Sequence, residues 1–174
     1  MPTSFDIAMT FVLASEGGYV FDPRDNGGET NRGVTDKQDG KVDGHIDVNG
    51  DGSLLVEVKN LTIDQAKIVY RRNYWNNING DQLTPGRGLI IVDTAVNQGV
   101  HQAIKLIQRV GELTEDGVFG PKTLEAAKVL DIDAYGAARL AVYKQLKGWP
   151  TYGKGWSDRV ARVISRAKEL DGAK

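Results

Sequence analysis

Between Gly17 and Asn60 the chain carries no helical period, whereas apolar residues recur at three- and four-residue spacing on either side of that stretch. Phe5, Met9, Val12 and Leu13 share one face of a helix read over residues 4–16, which Ser4 or Thr3 can cap and Gly17-Gly18 stops. Residues 18–60 are rich in Gly, Asn and Asp, with short alternating pieces at Val42–Val48 and Leu54–Val58; they read as loops with short hairpin strands. After Leu61 the helical signal returns. Thr62 caps a helix whose face carries Ala66, Val69 and Tyr70 and which leads to Trp75. A loop is read through Pro85-Gly86, then an apolar segment from Gly88 to Val96 that Asn97-Gln98-Gly99 interrupts. Further helices are expected from His101 to Val110 and over 121–130, 133–147 and 157–170. The fold class is therefore mainly α (α+β), with a small irregular β-hairpin lobe after the first helix.

At 174 residues, 40% hydrophobic and 26% charged, the chain can bury a substantial core. No apolar run approaches a bilayer span, so stable membrane association is not expected. The opening Met1-Pro2-Thr3-Ser4-Phe5-Asp6 lacks the basic and apolar regions of a signal peptide, which implies a protein made and held in the cytoplasm. Without cysteine there is neither a disulfide framework nor a thiolate metal site, and the two histidines, His45 and His101, suggest no zinc set. Net charge is −1, but residues 36–64 carry seven acids against three lysines, whereas from Arg139 to Lys168 eight basic residues face only Asp158. That basic segment suits an anionic polymer or is simply a solvated helix face; no nucleic-acid module accompanies it.

Glu16 is the candidate for chemistry. It follows Val12 by four and Leu13 by three, which puts it on the apolar face at the C-terminal end of the first helix. Desolvation and the negative end of the helix dipole both disfavour a carboxylate there, raising its pKa towards the range of a proton donor. Glycoside cleavage needs such a donor, because a sugar oxygen leaves poorly unless protonated, and a second group to handle water. Asp22 and Asp25 are nearby carboxylates, with Thr30 and Thr35 as neutral water-holders. The residues alone also leave open a helix-terminal glutamate that simply reaches solvent. Gly17 and Gly18 would let the backbone turn sharply and leave room for a large substrate.

Three other features carry readings. Asp47, Asn49 and Asp51 have the spacing that opens a calcium loop, but its closing position falls on Val58, so hairpin turns whose side chains bond their own backbone are the stronger reading. Asp93, in an apolar segment, reads as a structural hydrogen-bonding carboxylate. Trp149, Tyr152 and Trp156, among basic residues, form either a sugar-facing surface or core.

The segment Glu16-Gly17-Gly18-Tyr19-Val20, then Asp22-Pro23, then Gly27-Gly28-x-Thr30-Asn31-x-Gly33-Val34-Thr35, resembles the opening signature of the glycoside hydrolase family 108 muramidases. The likeness continues through Tyr70–Trp75 and Asp93–Gly99, and Leu106–Val110 with Asp116–Leu124 resembles the peptidoglycan-binding region that completes those phage and prophage endolysins. The resemblance implies a lysozyme-like fold and hydrolysis of the β-1,4 bond between N-acetylmuramic acid and N-acetylglucosamine in bacterial peptidoglycan. It makes Glu16 the catalytic acid. Asp25, nine positions after Glu16, and Thr30, five further on, repeat the spacing of many phage lysozymes and are the expected partners. Tyr19, Asp22, Asn31, Thr35, Tyr74, Trp75 and Asn97 are expected to bind substrate. The chain is expected to divide into a catalytic region, 1–96, and a wall-binding-like region, 97–174, packed upon it. No cofactor is implied. A monomer would reach the wall through a holin-like membrane lesion; a lytic transglycosylase and a non-catalytic peptidoglycan-binding protein are the alternatives.

Overall fold

Thr3, not Ser4, caps the first helix, α1 (Ser4–Ala14): the Asp6 amide donates to Thr3 Oγ1 at 3.2 Å and the Thr3 amide donates to Asp6 Oδ2 at 3.2 Å. The computed structural model describes residues 2–22 and 27–172. α1 ends two residues short of Glu16, and Ser15 and Glu16 continue it in tighter turns through bonds to Val12 O and Leu13 O.

The chain forms two compact units, Met9–Asn73 and Met1–Ala8 with Tyr74–Lys174. The division expected at residue 96 falls inside a helix, α3 (Pro85–Gln98). In the first of these units the non-periodic stretch becomes two antiparallel hairpins, β1 (Thr30–Asn31) with β2 (Val34–Thr35) and β3 (His45–Asp47) with β4 (Leu55–Glu57). Its acidic residues are not all solvated. Asp36 is buried, and its carboxylate takes the amides of Asp43 at 3.3 Å and Gly44 at 2.8 Å; Asp39 takes that of Asp47 at 2.9 Å. These bonds satisfy backbone donors that so short a ladder leaves unpaired. Arg72 closes the hairpin from below, donating from Nη1 to Asp47 O and Val48 O at 2.8 and 3.1 Å. Helix α2 (Ile63–Tyr70) begins with a capping box, Thr62 with Gln65, as the Thr62 signal predicts.

In the other unit α3 is buried without interruption from Gly88 to Ala95, so it is covered on every side there. Leu89, Ile90, Ile91 and Val92 have no accessible surface, and α4 (Val100–Val110), α6 (Ile132–Lys144) and α7 (Trp149–Gly172) pack about it, with α5 (Pro121–Lys128) against α4. The expected Pro85-Gly86 loop is the first turn of α3, with Pro85 where its missing amide costs nothing. The Asp171 carboxylate of α7 meets that turn, accepting from the Gly86 amide at 2.7 Å and from Thr84 Oγ1 at 2.6 Å. α7 itself starts at Trp149 rather than 157, since Gly153 and Gly155 interrupt the apolar period without breaking the helix.

Asp93 is fully buried in α3 and holds two arginines, Arg139 Nη1 of α6 and Arg159 Nη2 of α7, each at 2.7 Å. The carboxylate is structural, as its place in an apolar segment suggests. Asp93→Ala leaves buried guanidinium charge unmatched and is expected to cost about 3–5 kcal/mol of stability, read from urea unfolding; a loss below ~1 kcal/mol would remove the pair's structural role.

Candidate active site

The β1–β2 hairpin turns on two residues. Arg32 has φ 54° and Gly33 φ 73°, the double positive φ of a type I′ turn. Arg32 holds that conformation without being glycine, and its side chain is tied: Nε donates to Leu61 O at 3.0 Å. Asn31, buried, donates its amide to Val58 O at 3.0 Å and Lys59 O at 3.1 Å. The tip is thus pinned to the segment leading into α2. The Asn31 amide nitrogen is committed to that backbone.

Gly33 lies against Glu16 and Tyr70. A methyl group there would overlap the Tyr70 hydroxyl and stand 2.8 Å from Glu16 Oε2. Tyr70, buried at the end of α2, donates its proton to Arg32 O at 3.1 Å, which fixes its oxygen beside Gly33. Glu16 is half-buried and opens into a cavity of about 280 Å³ lined also by Thr10, Leu13, Ala14, Gly17, Arg32 and Ile63. A carboxyl held against backbone on one side and facing a cavity on the other can pass a proton to an atom seated there. Gly17 and Gly18 do not take left-handed φ; a side chain at either would meet nothing within 4 Å, so they provide space rather than a strained turn.

Of the expected partners, Thr30 sits in β1 opposite Thr35, and a bridge between Val20 and Thr30 lays the Tyr19–Asp22 segment beside it. Tyr19, Val20 and Phe21 are exposed along that segment. The Tyr19 hydroxyl has a raised pKa, from desolvation first and then from the hydrogen bond and charge of Glu29. Asp22 is half-buried. Asp25 lies outside the described residues. Tyr74, Trp75 and Asn97 belong to the other unit. Trp75 has no accessible surface: its ring fills the space left by Gly80 and Gly88, meets Phe5 edge-on at 5.5 Å and donates Nε1 to Asp81 at 2.9 Å. It is a core residue, not a wall for sugar. Asn97 donates to Asp93 O, one turn back in α3, at 2.6 Å.

In the Asp47–Ser53 turn the polar side chains bond their own backbone. Asp47 takes the amides of Gly50 and Gly52 at 2.9 and 2.8 Å, Asp51 that of Ser53 at 2.9 Å, and Asn49 donates to Ser53 Oγ at 2.8 Å. No three acidic or histidine side chains gather as a metal set among the described residues. A larger cavity, about 660 Å³, lies beside Gln108 and Thr123, but the Gln108 amide there is spent on Asp116, Val118 O and Gly117 N. Gly33 stands out in the sequence only as part of a motif, and no local signal places Tyr70 or Arg32 at the site. A two-residue loop between short β-prone pairs is the one signal that points to the turn.

A half-buried carboxyl beside a cavity, in a mainly α chain with a hairpin lobe, is the kind of proton donor that glycoside cleavage requires. The family model described as Glycosyl hydrolase 108 matches residues 9–99. A structure titled Structure of Brucella abortus SagA superposes with a TM-score of 0.78 at 39% identity, covering 96% of this chain and 95% of that one. None of the curated proteins matches. The chain belongs to glycosyl hydrolase family 108.

Gly33→Ala forces a side chain into left-handed φ and into Glu16 and Tyr70, so it is expected to lower stability by about 1 kcal/mol or more and to abolish glycan cleavage. Gly17→Ala, with open space, is expected to keep the fold; paired melting curves and turnover assays on both variants decide the matter.

Proposed function

We propose that the protein hydrolyses the β-1,4 bond between N-acetylmuramic acid and N-acetylglucosamine in bacterial peptidoglycan, with Glu16 as general acid. The observation that carries this reading is the Glu16 carboxyl, set against Gly33 and the Tyr70 hydroxyl and facing the cavity, in a chain of a glycoside hydrolase family. Glu16 protonates the glycosidic oxygen as the bond to the anomeric carbon breaks. Positive charge then develops on the sugar, and water attacks the anomeric carbon from the side of Asp25 and Thr30. Asp25, as general base, takes that water's proton as the new bond forms, leaving a reducing muramic acid end. The same reading makes the protein an endolysin that reaches the wall through a holin-like membrane lesion.

Glu16→Gln keeps the shape of the side chain and removes its proton. Cleavage of purified sacculi is expected to fall about 10²–10⁴-fold, with mass spectrometry of the soluble products recording reducing muramic acid ends only for the wild type. Anhydromuramic ends would instead make the protein a lytic transglycosylase. Asp25→Asn is expected to slow release of the same products; unchanged activity would take Asp25 out of the mechanism.

A further inference from the structure

Arg32 stands at the first central position of the β1–β2 turn, where a φ of 54° suits Gly, Asn or Asp and strains a longer side chain. A turn that only had to reverse the chain would carry one of those three residues. Strain of this kind persists where the surrounding structure holds it, and it gathers at positions whose side chain has a task. Arg32 is held on both its backbone and its side chain. Its carbonyl oxygen accepts from the Tyr70 hydroxyl at 3.1 Å, and its Nε donates to Leu61 O at 3.0 Å. Neighbouring Asn31 is tied to Val58 O and Lys59 O, so the tip and the root of the guanidinium are fixed together.

The far end of the same side chain is unpartnered. A guanidinium carries five N–H donors and Nε uses one; those on Nη1 and Nη2 meet neither an acceptor nor an ion-pair partner among the described residues. Yet Arg32 is half-buried and lines the cavity of about 280 Å³ into which Glu16 opens. The rest of that lining, Thr10, Leu13, Ala14, Gly17 and Ile63, is uncharged. A proton donor at Glu16 is neutral until it acts, which leaves the guanidinium as the charge on these walls. A planar fork of donors, oriented by its own Nε anchor and lacking an anion, suits a carboxylate taken end-on through Nη1 and Nη2.

We propose that Arg32 sets the specificity of the Glu16 cavity by binding a carboxylate carried on the side arm of the sugar seated there. The inference rests on the proposed peptidoglycan substrate. In that polymer every second sugar bears a lactyl arm, which ends in a carboxylate where it is bare and in a peptide with carboxylates of its own where it is substituted. N-acetylglucosamine has neither. A fixed cation in the cavity of the proton donor therefore reads which of the two sugars has entered, and so which of the alternating β-1,4 bonds is presented to Glu16. The contact lies away from the bond that breaks and acts through placement of the sugar.

The test is an NMR titration of full-length Glu16→Gln protein with soluble tetrasaccharide fragments of peptidoglycan. The fragments are peptide-bearing, peptide-bearing with every carboxylate amidated, or peptide-free with the lactyl carboxylate exposed. At least one carboxylate form is expected to bind about ten-fold more tightly than the amidated form and to shift the Arg32 Nε–H resonance. Tight binding of the peptide-bearing form places the carboxylate on the peptide, and tight binding of the peptide-free form places it on the lactyl arm; either supports the contact. Adding Arg32→Gln is expected to make all the fragments bind alike, and Arg32→Lys to keep part of the preference. Each preference is a ratio of affinities measured on one protein, so a reduced folded fraction cancels. No preference for a carboxylate in the Glu16→Gln protein, or a preference that survives Arg32→Gln, overturns the assignment. Digestion of sacculi by wild-type protein reports separately on the reaction: no cleavage, with the Arg32-dependent preference intact, would refute the proposed hydrolysis and leave the carboxylate contact standing.

Discussion

A carboxylate with no accessible surface must find its partners inside the protein, and Asp93 finds two, from helices 46 and 66 residues further along the chain. Arg139 and Arg159 thereby tie α6 and α7 to the apolar helix between them. Hydrophobic burial alone would let those helices slide or rotate against α3 with little penalty, because Leu, Ile and Val present no directional groups. The ionic contact has one geometry. Whatever depends on the relative placement of α6 and α7 depends on it.

The smaller unit solves a different problem. Strands of two or three residues offer few ladder bonds, so the lobe is held by side chains acting as backbone partners. Asp36, Asp39, Asp47 and Asn31 do this work inward, and Arg72 does it from α2's continuation. Composition that looks like a solvated acidic loop is in this sense a hydrogen-bonding scaffold. It brings Gly33 against Glu16, and the absence of a side chain there is what the site is built around.

Much of this is legible in the residues. The helical periods, the Thr62 cap and the alternating pieces of the β3–β4 hairpin all give the element that forms, because each is a local signal. Glu16 is legible as a residue on an apolar face next to glycines. Tyr70 is not, since its bond to Arg32 spans 38 residues and no period encodes it. Trp75 looks like a cleft aromatic until Gly80 and Gly88 are seen to be shaped around its ring. The start of α7 is missed for a related reason: Gly153 is weak in helix propensity but is required beneath Trp149.

The cap on α3 has a consequence for the order of events during synthesis. The amide of Gly86 is satisfied by Asp171, 85 residues downstream, so the first turn of the central helix has no partner until almost all of its unit has left the ribosome. Met9–Asn73, by contrast, is continuous in sequence and emerges whole before the helices that surround α3 exist. The lobe that carries Glu16 can therefore assemble while translation proceeds, whereas the other unit closes only after it, a vectorial order written into where one aspartate falls.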